Sequence, residues 1–206
     1  MENTFANTTV LDLLFRAAKS NPSKTYCKSA NHEFTYQQFI NACIKLSNEI
    51  SDKNLKKQRI GILLPNSILF LISYFAILIS GNRPALLNYL LPDFALSKLI
   101  DNLEPSLLIS DKALLKSQSI IVKIEDYLEL EESSIDETDF RCESTEVGAI
   151  LFSGGTTGIP KQINHSHKCI ISMVERMEWG WPTMPNEKWL VVAPFTHIYG
   201  VLTGVT

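Results

Sequence analysis

Apolar and polar positions alternate along most of this chain in blocks that predict strands and helices in turn. From residue 59 onward, short apolar runs of strand length lie between turn residues, at 59–64, 84–88, 106–110, 119–124, 147–152 and 189–193. Three longer segments between them place apolar residues at helical spacing, at 67–79, 92–103 and 165–179. Parallel strands need crossovers of this length, so the pattern predicts an α/β fold with a doubly wound, largely parallel sheet flanked by helices.

The residues before this region show a different order of elements. Apolar residues at helical spacing predict helices over 11–20 and 36–52. Between them, two short stretches at 25–29 and 33–35 flank a polar turn and predict a strand pair. We therefore expect residues 1–58 to form a helical and hairpin segment that packs on the α/β core.

The segment 68–80 is apolar on all sides and resembles part of a membrane span. It is 13 residues long, whereas a spanning helix needs roughly 20 residues. Pro65, Asn66 and Ser67 precede it and are typical of a turn between a strand and a helix. We expect a helix buried in the core and no membrane span, with a membrane-binding or protein-binding helix as the alternative.

Charge is distributed unevenly along the chain. The formal net charge is −3, but residues 124–146 carry ten acidic residues and one arginine, which gives −9 there and +6 on the rest. Such a run is typical of a solvated linker, and we expect an acidic linker at 125–146. The mildly basic remainder suits anionic ligands. It has no basic stripe with interleaved aromatic residues, so we expect no nucleic-acid partner.

Cysteine and histidine spacing does not indicate a disulfide framework. The four cysteines form no C-x-x-C pair, and the N-terminus lacks the basic and apolar regions of a signal peptide. We expect reduced thiols in a cytoplasmic protein. His165 and His167 suit a metal, or alternatively a polar helix start. Because no further ligands cluster near them in the sequence, we expect no metal site within this chain.

The stretch ILFSGGTTGIPK, at 150–161, is a glycine- and threonine-rich loop that follows an apolar strand. Its glycines let backbone N–H groups approach a ligand, its hydroxyls can donate to anionic oxygens, and its lysine supplies a mobile positive charge. Nests of this kind bind phosphate, although the glycines alone also fit a plain turn. It is not a Walker A motif, since Pro160 precedes the lysine and Gln162 follows it. The candidate phosphate-binding residues are Ser153, Gly154, Gly155, Thr156, Thr157, Gly158 and Lys161.

The string SGGTTGIPK, at 153–161, resembles the phosphate-binding loop of the adenylate-forming (AMP-binding) superfamily. Its members are acyl- and aryl-CoA synthetases, luciferases and the adenylation domains of peptide synthetases. The segment PFTHIYG, at 194–200, is similar to the Pro-x-x-His-x-x-Gly element of the CoA-ligase branch, which includes 4-coumarate–CoA ligases and fatty acyl-CoA synthetases. Weaker similarities lie upstream, in FTYQQF at 34–39, GILLPN at 61–66 and GNRPALLN at 81–88. Gln162 departs from the glycine that is often found there, which removes no phosphate donor.

The resemblance implies a ligase that works in two steps. A carboxylic acid attacks the α-phosphorus of ATP, which binds with Mg²⁺, to give an acyl adenylate and pyrophosphate. A thiol then takes the acyl group; CoA is the expected thiol and a carrier protein is the alternative. The loop would hold the β- and γ-phosphates, while Thr196, His197, Tyr199 and Gly200 would contact the acyl group or the adenylate. The alternative for His197 is a core histidine near a strand end.

The resemblance also implies that the chain is the N-terminal part of the adenylate-forming enzyme fold. We expect a first α/β segment at 59–124 and, after the acidic linker, a phosphate-loop segment at 147–206 that is truncated. The acid that holds magnesium and the catalytic lysine would lie in the missing remainder, so we assign no catalytic residue within the chain and expect it to be inactive alone. The alternative is a noncatalytic module that binds a nucleotide or an acyl group with the same half-fold.

Overall fold

The computed structural model describes residues 7–111, 119–130, 142–153, 160–184 and 186–204 of the chain. The first part consists of α1 (Val10–Ser20), β1 (Thr25–Lys28), β2 (Glu33–Thr35) and α2 (Tyr36–Ser51). The α/β part follows with β3 (Arg59–Leu63), α3 (Ile68–Ile79), β4 (Arg83–Leu86), α4 (Asp93–Leu103), β5 (Leu107–Ser110), β6 (Ser119–Ile121), a 3₁₀ turn (Ile124–Tyr127), β7 (Val147–Phe152), β8 (Gln162–Ser166), α5 (His167–Gly180) and α6 (Ile198–Gly204).

The main sheet has six strands within the described residues, in the order β6-β5-β3-β4-β7-β8. Neighbouring strands from β6 to β7 pair in parallel, and the edge strand β8 runs antiparallel to β7. The pair β1–β2 forms a separate antiparallel sheet. The prediction of a largely parallel α/β sheet is therefore confirmed.

Alternate residues of each strand point to opposite faces of the sheet, and helices cover both faces. Ile60 and Ile62 of β3 belong to the larger core, together with the apolar residues of α2 and α3. Leu63 belongs to a second core on the other face, where it packs with Leu99 and Leu103 of α4. The sheet is thus doubly wound, as the alternation of strands and helices predicts.

The chain leaves the neighbouring strands β3 and β4 toward opposite faces. β3 leads into α3, which lies in the larger core, and β4 leads into α4, which lies in the second. In open α/β sheets, a crevice forms at the carboxyl ends of two strands whose connections diverge in this way, and ligands bind there. The topology therefore points to the carboxyl edge of the sheet as the place for a site.

Helix α3 is buried, as predicted from its apolar sequence. Ser67 starts it by accepting a hydrogen bond from the N–H of Phe70 at 3.2 Å. Every residue of α3 except Leu69 is buried. None of the helices in the described parts of the chain is long and apolar enough to cross a membrane.

The segment after the loop differs from the prediction of a helix over 165–179. Gln162–Ser166 form β8, and α5 begins only at His167, where Ser166 caps it by accepting the N–H of Cys169. β8 lies at the sheet edge with its first three residues exposed, so its polar sequence lacks the hydrophobic alternation that marks a strand. The loop 153–161 is therefore the connection of an antiparallel hairpin.

The prediction of a strand at 189–193 is wrong. These residues pair with no described strand, and the side chains of Trp189, Leu190 and Val192 are exposed. An apolar run predicts a buried strand only if a neighbour is available for the hydrogen-bond ladder. Here β8 occupies the edge of the sheet beside β7, and the segment continues as irregular backbone into 194–197.

Candidate functional site at the carboxyl edge of the sheet

The base of the predicted phosphate loop is closed by two hydrogen bonds between its ends. The N–H of Ser153 donates to the carbonyl of Lys161 at 2.9 Å, and the N–H of Lys161 donates to Oγ of Ser153 at 3.1 Å. The first bond extends the backbone pairing of β7 and β8, the second is accepted by a side chain, and together they bring the first and last predicted phosphate ligands together. The side chain of Lys161 is exposed. The other predicted ligands, Gly154, Gly155, Thr156, Thr157 and Gly158, lie outside the described residues.

The second predicted element, at 194–200, is attached to the residues that follow β3. Nδ2 of Asn66 donates to the carbonyl of Ala193 at 2.8 Å, and Oδ1 of Asn66 accepts the N–H of Phe195 at 2.9 Å. The buried ring of Phe195 packs on Phe70 of α3, with ring centroids 5.2 Å apart. The sequence patterns do not predict Asn66 as a site residue, because its partners lie far away along the chain.

His197 is exposed and lies at the start of α6. Its backbone N–H donates to the carbonyl of Pro194 at 3.0 Å, and its Nδ1 accepts the N–H of Tyr199 at 3.2 Å. A ring nitrogen that accepts a hydrogen bond carries no proton, so a neutral His197 has its proton on Nε2. His197 therefore offers a hydrogen-bond donor outward from the helix start and is not a core histidine in this structure.

The glycine of the Pro-x-x-His-x-x-Gly element has a steric role. A Cβ atom added at Gly200 would overlap the backbone carbonyl of Pro194, and the backbone nitrogen of Phe195 would be 3.0 Å away. α6 therefore packs directly on the backbone of the loop that precedes it. Of the remaining predicted residues, Thr196 is half-buried and Tyr199 is exposed.

The two predicted elements share one edge of the sheet. β7, which leads into the phosphate loop, and β3, which leads to Asn66, both neighbour β4. Adjacent strands are about 4.8 Å apart, so the carboxyl ends of β3 and β7 are roughly 10 Å apart. The base of the phosphate loop and the turn that holds 194–200 therefore leave the sheet at the same edge, two strands apart.

Of the two histidines that suit a metal in sequence, His167 has both ring nitrogens against other residues of the fold. His167 is buried, its Nδ1 accepts the N–H of Val10 at 3.3 Å, and its Nε2 lies 3.5 Å from Sγ of Cys142. Burial lowers the pKa of His167 to about 4, although Glu146 and Asp12 act in the opposite direction. No group of three or more potential metal ligands occurs within the described residues. His167 instead ties α5 to the start of α1.

Comparison with known proteins identifies the family. The AMP-binding enzyme family matches residues 14–206. A long-chain-fatty-acid–CoA ligase of Bacillus subtilis (strain 168) is 25% identical over 97% of this chain and 44% of the ligase. A D-alanine–D-alanyl carrier protein ligase of Staphylococcus epidermidis is 22% identical over 94% of this chain and 39% of that protein. The chain thus spans less than half the length of these two curated relatives.

The fold is also similar to that of solved structures. The o-succinylbenzoate CoA synthetase of Bacillus subtilis, in complex with its acyl-adenylate intermediate, matches with a TM-score of 0.78 and 15% sequence identity. The match covers 96% of this chain and 54% of that chain. The predicted architecture, that of the N-terminal part of an adenylate-forming enzyme, is confirmed.

Proposed function

The chain belongs to the AMP-binding enzyme family of adenylate-forming ligases, and on this basis we propose that it is the N-terminal part of an enzyme that activates a carboxylic acid with ATP. The proposal is carried by one observation: the base of the loop 153–161 and the segment 194–200 lie at the same edge of the sheet. A carboxylate can attack the α-phosphorus only if the acid and the nucleotide are held side by side, so the two ends of the cleft must be close.

The loop 153–161 would form the nucleotide end of the cleft. Oγ of Ser153 accepts the N–H of Lys161, which leaves its O–H able to donate to a phosphate oxygen. The ammonium group of Lys161 would pair with the β- and γ-phosphates. As the carboxylate oxygen bonds to the α-phosphorus, the bond to the bridging oxygen breaks and pyrophosphate leaves, so positive charge there stabilises the transition state. The backbone and hydroxyl groups of 154–158 complete the proposed set.

The segment 194–200 would form the acyl end. With Nδ1 of His197 engaged by Tyr199, the Nε2–H is the group able to donate to the carboxylate or the adenylate. Thr196 and Tyr199 would contact the acyl group beside it. Gly200 would act indirectly, by allowing α6 to approach Pro194.

In the second step, a thiolate sulfur attacks the acyl carbon and AMP leaves. We propose CoA as the thiol, and the similarity to a long-chain-fatty-acid–CoA ligase supports it. The similarity to a D-alanyl carrier protein ligase supports a carrier-protein thiol as the second candidate. Thioester formation with CoA, compared with that on a carrier protein bearing a phosphopantetheine thiol, distinguishes the two.

The proposal is tested by pyrophosphate exchange on the longer protein that contains this chain. Labelled pyrophosphate, ATP and Mg²⁺ are supplied with fatty, aryl and amino acids in turn, and we expect label in ATP only with the cognate acids. The stretch 1–206 alone should give no exchange, because the magnesium-binding acid and the catalytic lysine of the family are not expected in it. If the longer protein binds ATP but exchanges label with no acid, the proposal is wrong and a noncatalytic module is favoured.

A further inference from the structure

We propose that Asn66 is a positioning residue for the acyl end of the cleft. Its side-chain amide holds the loop 193–197 at the carboxyl end of β3 and thereby sets the affinity of the site for the carboxylic acid. This inference rests on the proposed function, because it takes His197 to contact the acid.

The amide of Asn66 replaces a missing strand partner. It donates to the carbonyl of Ala193 at 2.8 Å and accepts the N–H of Phe195 at 2.9 Å, so both sides of the amide bind the backbone on either side of Pro194. A neighbouring strand would satisfy the same pair of groups in the same way. The partners lie 127 and 129 residues further along the chain. Asn66 therefore joins two parts of the sequence that no described ladder connects there.

Asn66 itself is fixed by the elements on either side of it. It lies in the short turn between β3, a central strand of the sheet, and α3, a helix buried on almost every side. Ser67, the next residue, caps α3. Groups mounted between two rigid elements are held more accurately than groups on free loops. The turn therefore holds the loop 193–197 in place, although that loop pairs with no described strand.

A short series of contacts connects Asn66 to His197. Asn66 binds the backbone of Phe195, the carbonyl of Pro194 accepts the N–H of His197 at 3.0 Å, and Nδ1 of His197 accepts the N–H of Tyr199. Loss of the amide would release the backbone just before His197 while leaving the ring of Phe195 on Phe70. We therefore expect displacement of the imidazole rather than unfolding.

The test compares Asn66→Ala and the isosteric Asn66→Asp in the longer protein. Asp keeps an acceptor for the N–H of Phe195 but places an oxygen against the carbonyl of Ala193. For both variants, we expect the KM for the acid in pyrophosphate exchange to rise about tenfold, as for loss of one or two neutral hydrogen bonds. The KM for ATP should change less than about twofold. Asn102→Ala, which alters an exposed asparagine in α4, is the matched control and should change neither KM.

A double-mutant cycle separates positioning of His197 from a general effect on the fold. The effect of Asn66→Ala is expressed as the free-energy change that corresponds to the rise in the KM for the acid. In a His197→Ala background this free-energy change should fall to less than half, because the positioned group is gone. Persistence of half or more overturns the inference. Equal rises in both KM values, kinetics like those of Asn102→Ala, or unfolding of both Asn66 variants also overturn it. If the wild-type protein shows no acid-dependent exchange, the proposed function itself fails, and the inference fails with it.

Discussion

At the scale of single residues, burial decides what the histidines of this chain do. His167 is 1% exposed, and its Nδ1 accepts the N–H of Val10, so it is neutral in the folded protein near pH 7. His197, by contrast, is exposed and has Nδ1 engaged by a backbone N–H next to it. The first histidine fixes α1 on α5, and the second presents Nε2–H at the edge of the sheet.

The buried histidine predicts a pH-dependent stability. The pKa of His167 is lowered to about 4 in the folded chain, whereas an unfolded histidine titrates near pH 6.5. The neutral form is therefore favoured by folding, and its contribution is present above about pH 6.5 and is lost as the pH falls toward 4. Between pH 7.5 and pH 5, this residue should lower the free energy of unfolding by about 2 kcal/mol.

The measurement is urea unfolding at the two pH values, for the wild type and for His167→Asn. Asn cannot titrate, and its Oδ1 can still accept the N–H of Val10. Other groups titrate equally in both proteins, so the difference between their pH responses isolates His167. Identical pH responses would contradict the prediction.

A second prediction at this scale concerns Gly200. Because an added Cβ would overlap the carbonyl of Pro194, Gly200→Ala must move α6 away from the loop that carries His197. We expect the KM for the carboxylic acid to rise about tenfold or more, since small displacements of a binding group are costly. Gly180→Ala is the control, because nothing lies within 4 Å of a Cβ there. Similar kinetics for the two variants would show that the close approach has no role in binding.

At the scale of elements, the sequence pattern predicts those strands and helices whose burial is periodic. β3, α3, β4, α4 and β7 lie within one or two residues of their predicted bounds, because each contributes an apolar face or an apolar interior. β8 is missed because its side chains are mostly exposed. The segment 189–193 is mispredicted because Trp189, Leu190 and Val192 are exposed, although Val191 packs against the larger core. For β8 and for 189–193, strand formation depends on backbone pairing with a neighbouring strand, which the composition of the segment does not reveal.

Because α3 is buried, a charged side chain introduced into it should lower the free energy of unfolding strongly. Phe70 is fully buried and packs on Phe195, so Phe70→Asp would place an unpaired carboxylate in the core and should destabilise the protein by at least about 4 kcal/mol. Phe94→Asp makes the same chemical change at a side chain that is 69% exposed, in the first turn of α4. We expect that control to change stability by less than about 0.5 kcal/mol. Urea unfolding of both variants tests the assignment, and equal losses would contradict it.

At the scale of the whole molecule, the topology explains why residues far apart in sequence form one candidate site. The chain diverges after β3 and β4, the arrangement at which open α/β sheets form a crevice, and the turn with Asn66 and the carboxyl end of β7 lie at that edge of the sheet. The motifs at 153–161 and 194–200 predict the chemical character of the two ends. They do not predict the attachment through Asn66, because a side-chain contact across more than a hundred residues leaves no periodic pattern in the sequence.

The proposed function predicts that the nucleotide end and the acyl end of the cleft can be impaired separately. Lys161→Ala should lower the maximal rate of adenylation at least about tenfold and change the KM for the acid little, because in the proposed site its charge would meet pyrophosphate as it becomes a leaving group. His197→Ala should mainly raise the KM for the acid. Lys168→Ala, which removes an exposed charge in α5 seven residues further on, is the control. Exchange kinetics with ATP and the acid varied independently measure each effect, and an unchanged maximal rate in Lys161→Ala would remove this lysine from the phosphate site.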